Sequence, residues 1–203
     1  MAKMETLRDD FGSGTLDTGK WTNAIGASID TGRLKLSRAS GNAGLEATTT
    51  YDITGSSVAY KLTLDSGILT EQWHSVYMPF GTAASDPDIN GVGFQFSTDS
   101  FGAYLACRFV KDNTFQPNVS LTYDPVAHAW LRVRESAGVL YWETSPDGLL
   151  WTIRRSEVHT LSSAILLPTF TASFGVGGTS TKLIYIDNFN VLPNPAAFLP
   201  FFI

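Results

Sequence analysis

Short runs rich in β-branched and aromatic residues recur along the chain, with glycine, proline, asparagine or aspartate between them, and leave room for little but a β-sandwich. They fall at 33–37, 45–52, 58–64, 74–80, 91–98, 103–110, 119–123, 130–136, 139–145, 151–156, 169–175 and 182–191. Several alternate apolar and polar residues, as in Leu34/Leu36, Phe94/Phe96 and Leu131/Val133, the pattern of a sheet with one face on a core and one in water. No helical period is sustained. Serine and threonine number 41 against six Glu and six Lys, a mixture suited to exposed strand faces rather than surface helices. The expected fold is all-β, a two-sheet antiparallel sandwich.

The most informative local segment is a double hairpin over 130–153. A two-residue turn at Ala137-Gly138 pairs Ser136 with Val139, Arg134 with Tyr141, Val133 with Trp142 and Arg132 with Glu143. Ser145-Pro-Asp-Gly148 then supplies the residues of a second turn. A four-residue loop there pairs Trp142 with Trp151 and Leu140 with Ile153, and sorting of apolar side chains favours it over a three-residue loop. Both tryptophans are thereby expected in the core, whereas Trp21 and Trp73 are expected half exposed.

The 203 residues are enough for one domain that buries about 70% of its unfolded surface without staples. Cys107, the single cysteine, is expected as a small core filler. A net charge of −5, with 14 basic residues spread thinly, excludes nucleic acid as the main partner. No apolar run approaches the ~20 residues of a membrane helix, and the first residues lack a signal peptide's apolar core, so a soluble protein made in the cytosol, without membrane insertion, is expected. No internal repeat or linker interrupts residues 1–192. At Pro193 the composition breaks, and residues 193–203 form an extended apolar tail.

The opening 10–21 segment, the Gly32-Arg-Leu-Lys-Leu36 strand, the Ser145-Pro-Asp-Gly-Leu-Leu-Trp151 hairpin and the closing Tyr185-Ile-Asp-Asn-Phe189 strand together resemble concanavalin A-like (laminin-G-like) jelly-roll domains. The resemblance spans about residues 8–192. It implies a jelly roll whose first and last strands share a sheet, so that the domain is closed by its own termini, and a sheet face of the kind that binds glycans. In overall character the chain, with its apolar C-terminal peptide, is also similar to minor tail or accessory virion proteins of bacteriophages infecting actinobacteria.

Glucanases that share this resemblance carry Glu-x-Asp-x-x-Glu or Glu-x-Asp-x-Glu on one strand, which sets two carboxylates at the ~5–5.5 Å separation of a retaining mechanism. None of Glu5, Glu46, Glu71, Glu135, Glu143 and Glu157 has Asp two residues on, and the expectation is that the chain is not an enzyme. His74, His128 and His159 carry no nucleophile or zinc signature and are expected on turns or the surface. Asp86, Asp88 and Asn90, followed by Gly91, match the first half of a Ca²⁺ loop, but Ser97 stands where the bidentate Glu belongs, and a plain turn is favoured. Sugars bind to aromatic rings with planar polar groups beside them, and the hairpin puts Trp130, Arg132, Arg134, Tyr141 and Glu143 on one face. The competing reading of the same residues is cross-strand pairing, Arg132 with Glu143 and Arg134 with Tyr141.

Phe198, Leu199, Phe201, Phe202 and Ile203 would each forgo roughly 1.5–3 kcal/mol if left in water, so the tail is expected to be buried, either folded back over its own sandwich or, the favoured reading, docked on another copy or another protein. The function expected from these features is a structural or accessory virion protein that assembles with itself or other virion proteins through this tail and presents a face to a cell-surface glycan. The alternatives are a free carbohydrate-binding module and, less favoured, a glucanase-like hydrolase.

Overall fold

The computed structural model describes residues 1–39, 41–71, 73–83, 86–159, 161, 165–175 and 179–194, with the side chains of 79–89 outside the description. The tail residues Phe198, Leu199, Phe201, Phe202 and Ile203 lie outside the described residues.

The strands are β1 Trp21–Ile25, β2 Ala27–Asp30, β3 Arg33–Ser37, β4 Ala43–Ala47, β5 Tyr51–Asp52, β6 Ser57–Leu64, β7 His74–Ala83 and β8 Asp86–Asp99. They continue as β9 Gly102–Lys111, β10 Thr114–Phe115, β11 Val119–Thr122, β12 Trp130–Ser136, β13 Val139–Ser145, β14 Thr152–Val158, β15 Ile165–Phe174 and β16 Leu183–Asp187. One sheet has the order β1-β4-β15-β7-β8-β9-β10, with β11 on β9 and β5 on β15. The other has the order β14-β13-β12-β6-β16-β3-β2. Neighbours distant in sequence, β4 beside β15 and β6 beside β16, give the crossed connections of a jelly roll.

Alternation within strands sorts the side chains as expected for a sandwich. Leu34, Val58, Leu131 and Trp142 of the seven-stranded sheet meet Leu45, Phe94, Leu105 and Phe170 of the nine-stranded one, all fully buried. Cys107 is buried among them. The closure expected from the resemblance takes a different form, because β1 and β16 lie in different sheets. The termini instead meet through Asp9 and Phe189, whose amides donate to each other's carbonyls at 2.9 and 2.8 Å. Trp21 caps this junction at 1% exposure, contrary to the half-exposed position expected for it, while Trp73 is 61% exposed.

The first hairpin has the expected register throughout, from Trp130 opposite Ser145 to Ser136 opposite Val139. The second departs from it. Asp147 Oδ1 accepts from the amides of Leu149 and Leu150, which holds a longer connection, and β14 begins with Thr152 opposite Thr144. A register shift after Trp142 then sets Arg155 opposite it. Arg155 takes the inward position, stacked on Trp142 at 4.8 Å and donating to the Cys107 carbonyl at 3.0 Å, so Ile153 turns to solvent. Trp151 lies on the outer face under Arg132 rather than in the core.

Two of the three histidines are buried rather than at the surface, His74 and His128. His74 Nδ1 contacts the guanidinium of Arg38, itself fully buried, and Nε2 faces Glu71 Oε2 at 2.6 Å. Ser180 also donates to that oxygen, and Arg38 donates to the Lys182 carbonyl at 2.7 Å. Burial first, and then the Arg38 charge, hold the His74 imidazole below its usual value, against a smaller opposing pull from Glu71. The unfolded chain then takes up a proton near pH 6.5 that the folded chain refuses, so stability falls as pH drops from 7.5 to 5.5. His128, also held low by burial, adds to the same slope. In urea titrations at the two pH values, His74→Gln is expected to lose less stability than the wild type, and an unchanged difference would contradict this account.

Candidate functional site

The outer face of the nine-stranded sheet collects polar side chains that no single strand announces. Successive residues of a strand point to opposite faces, so burial of Leu45, Phe170, Val76 and Phe94 sends Glu46, Thr171, Tyr77 and Gln95 outward. Register then aligns them: Glu46 lies opposite Thr169, Gly44 opposite Thr171, Thr171 opposite Tyr77 and Tyr77 opposite Gln95. One row farther along, Ser173, Ser75, Ser97 and Tyr104 are paired in turn.

A groove of about 480 Å³ runs over β1, β4, β15 and β7, lined by Asn23, Ile25, Asn42, Glu46, Tyr77 and Thr171 among others. Gly44 keeps its floor low between Glu46 and the Thr171 side chain. Its rim is shaped by an irregularity in β1, where the pairing with β4 shifts between Thr22 and Ile25 and Asn23 adopts φ +50°. That bend aims the Asn23 amide at Glu46, to which it donates at 2.5 Å. Ile25, 65% exposed, adds an apolar edge.

On the far side of Tyr77 the polar surface continues. Gln95 Nε2 donates to the Tyr77 hydroxyl at 3.0 Å and to Ser75 Oγ at 3.1 Å, which holds the tyrosine in place. The Arg108 guanidinium lies 5.4 Å from the Tyr77 ring centre and 4.5 Å from that of Phe115, which is half exposed. One aromatic ring, several amides and hydroxyls and one carboxylate, Glu46, therefore border an open groove. Such a surface suits a polyhydroxylated ligand, with the ring under its C–H face and the planar groups on its hydroxyls.

The five hairpin residues expected to form a glycan platform do come together, but mainly on one another. Arg132 Nε donates to Glu143 Oε2 at 2.6 Å and Arg134 to Oε1 at 3.4 Å, with Glu143 only 3% exposed. Arg134 stacks on Tyr141 at 4.2 Å and Arg132 on Trp151 at 4.1 Å. Trp130 is buried. Gly148 and Pro193 are packed against it, so closely that a Cβ on Gly148 would come within 2.9 Å of both other residues.

The segment expected as half of a Ca²⁺ loop is strand backbone, because β8 starts at Asp86 and pairs it with Ala83. Asn90 is buried and accepts from the Asp112 amide at 3.0 Å, and the side chains of Asp86 and Asp88 lie outside the described residues. Among the described residues no group of three His, Cys, Asp or Glu gathers as metal ligands.

No family model matches the chain, and no curated protein does. Solved structures do. The catalytic domain of an endo-1,3-β-glucanase (laminarinase) from Thermotoga petrophila aligns with a TM-score of 0.65 over 89% of this chain and 93% of its own, at 8% identity. A legume lectin-like domain from Entamoeba histolytica aligns with a TM-score of 0.59 over 84% and 88%, at 10% identity. The fold is the concanavalin A-like jelly roll. The same sandwich matches a Bacillus licheniformis β-glucanase at a TM-score of 0.62, over 90% of this chain and 94% of that one, at 9% identity. Of Bacteroides ovatus xyloglucan PUL GH43B, also a match, the chain spans only 38%.

These neighbours overturn the expectation that the chain is not an enzyme. The expectation rested on the absence of an acid motif from any one strand, yet glycoside hydrolases are prominent among the proteins sharing this concanavalin A-like fold. One sheet face can gather carboxylates from separate strands, so the missing motif gives no ground for exclusion. The expected similarity to bacteriophage tail proteins is not shown by these comparisons.

No window of the sequence brings Tyr77, Gln95, Glu46, Asn23 and Arg108 together. Their signal is the polar half of the alternation in β4, β7, β8, β9 and β15, which becomes a surface only once the strand order is known.

Proposed function

We propose that this domain binds carbohydrate in the groove on the outer face of its nine-stranded sheet. The observation that carries the reading is Tyr77, held by Gln95 at the wall of a groove whose other sides present Asn23, Asn42, Glu46 and Thr171. The neighbours agree with it, since they include a carbohydrate recognition domain and β-glucanases as well as a lectin-like domain. This proposal keeps the glycan-binding face expected from the sequence and moves it from the 130–143 hairpin, where Arg132 and Arg134 are paired with Glu143, to the opposite sheet.

Calorimetric titration with a panel of oligosaccharides tests the reading. A central stacking residue that behaves as a binding hot spot contributes about 2 kcal/mol or more, so Tyr77→Ala is expected to weaken the best ligand about 30-fold. Tyr141→Ala, on the other sheet, is expected to change affinity less than twofold. The opposite ranking would return the site to the hairpin.

A hydrolytic reading is favoured by one further observation, that the groove holds the Glu46 carboxylate, with its Oε2 accepting from Asn23. Retaining hydrolysis requires a second carboxyl group about 5–5.5 Å away. Reducing-end release from a bound oligosaccharide, abolished by Glu46→Gln with binding retained, would assign that chemistry to the groove.

A further inference from the structure

We infer that Arg108 reads a negative charge on the bound glycan, so that the ligand class is an acidic oligosaccharide carrying carboxylate or sulfate groups. The inference rests on the groove reading and names the ligand that the groove selects.

Its basis is how Arg108 is held. The guanidinium lies against two rings, Tyr77 and Phe115, contacts that restrain it without using its N–H groups. Among the described residues no carboxylate pairs with it, whereas Arg132 and Arg134 share Glu143 and Arg155 has Glu157. Stacking thus orders a cation in advance and leaves its donor edge for a ligand, which lowers the entropic cost of binding. Planar, bidentate recognition of a carboxylate or sulfate is what such a fork does best.

Position supports the same conclusion. Arg108 is opposite Gly93, on the face shared with Tyr77 and Gln95, where the neighbouring residue adds no side chain. Its contact with the Tyr77 ring places an anion there next to a sugar stacked on Tyr77. The groove's carboxylate, Glu46, is four strands away, about 19 Å at ordinary strand spacing. That exceeds the ~8 Å Debye length at physiological salt, so Glu46 and Arg108 act on different parts of one extended ligand. An acidic ligand can meet Arg108 at one end and give hydroxyls to Glu46 and Asn23 at the other.

The test is calorimetric titration of the full chain with size-matched oligosaccharides of three kinds: polyuronate, sulfated and neutral. The expected result is at least one anionic series binding about tenfold tighter than the neutral one, with the preference shrinking as salt rises. Whichever anionic series wins identifies carboxylate or sulfate as the group read. Arg108→Gln is expected to abolish the preference, and Arg108→Lys is expected to retain part of it. Equal binding of neutral and anionic series, unchanged in Arg108→Gln, would overturn the inference and leave the groove reading standing. Binding of none of the three would overturn both.

Discussion

Trp21→Ala is expected to lower the unfolding free energy by about 3–5 kcal/mol, the range for truncating a large buried aromatic. Trp21 lies edge-on to Phe189 at 5.3 Å and within 6.0 Å of both Phe11 and Phe170, so its removal opens a cavity where the N-terminal segment, β15 and the closing chain meet. Its indole Nε1 also donates to Asp9 Oδ2 at 2.8 Å, and Asp9 is itself buried. The variant loses packing and takes from Asp9 Oδ2 its indole donor, while the Phe11 amide still serves Oδ1. For a domain of this size the loss corresponds to roughly 6–20 °C in Tm. Trp21→Phe, which restores most of the volume but not the donor, is expected to fall between the two. A change under 1 kcal/mol for Trp21→Ala would mean that the terminal junction contributes little to the fold.

Asn190→Ala is expected to cost about 2–4 kcal/mol, although no apolar core residue is touched. The Asn190 side chain accepts from the Ala59 amide at 2.8 Å and donates to the carbonyls of Met4 at 2.9 Å and Leu7 at 2.8 Å. It therefore ties the chain after β16 to both β6 and the N-terminal segment, and truncation leaves the Ala59 amide and the Leu7 carbonyl without partners and the Met4 carbonyl with only the Leu7 amide. The residue also has φ +54°, where asparagine is tolerated and alanine is strained. Asn190→Asp keeps the acceptor and loses both donors, so it should be intermediate. Hydrogen exchange is the discriminating readout: the Ala59 amide should lose protection in Asn190→Ala and keep it in Asn190→Asp.

Local periodicity made much of this architecture legible. Leu131/Val133 and Leu140/Trp142 alternate so regularly, with Ala137-Gly138 between them, that the first hairpin could be written residue by residue. The second hairpin was not legible by the same logic, because sorting of apolar side chains assumes that an arginine stays outside. Arg155 goes inside, where the Trp142 ring and the Cys107 carbonyl offer it partners that only the folded sheet brings together. His74 and Arg38 were hidden for a related reason: each is buried by virtue of the other and of Glu71, and they come from separate strands and turns. The groove is the strongest case. Thr171, Tyr77 and Gln95 are neighbours through register alone, nearly a hundred residues apart in the chain at the widest, and no window of sequence contains them together. The hairpin residues are legible as one face because they are contiguous in sequence, whereas the pairing of Arg132 and Arg134 with Glu143 is a property of the folded sheet.

Amide chemical-shift mapping during titration with the best-binding oligosaccharide tests the central claim most directly. Binding in the groove predicts the largest shifts at Asn23, Glu46, Thr171, Tyr77 and Gln95, with Arg132, Tyr141 and Glu143 unmoved. Shifts confined to the 130–143 hairpin, or spread over neither sheet face, would contradict it.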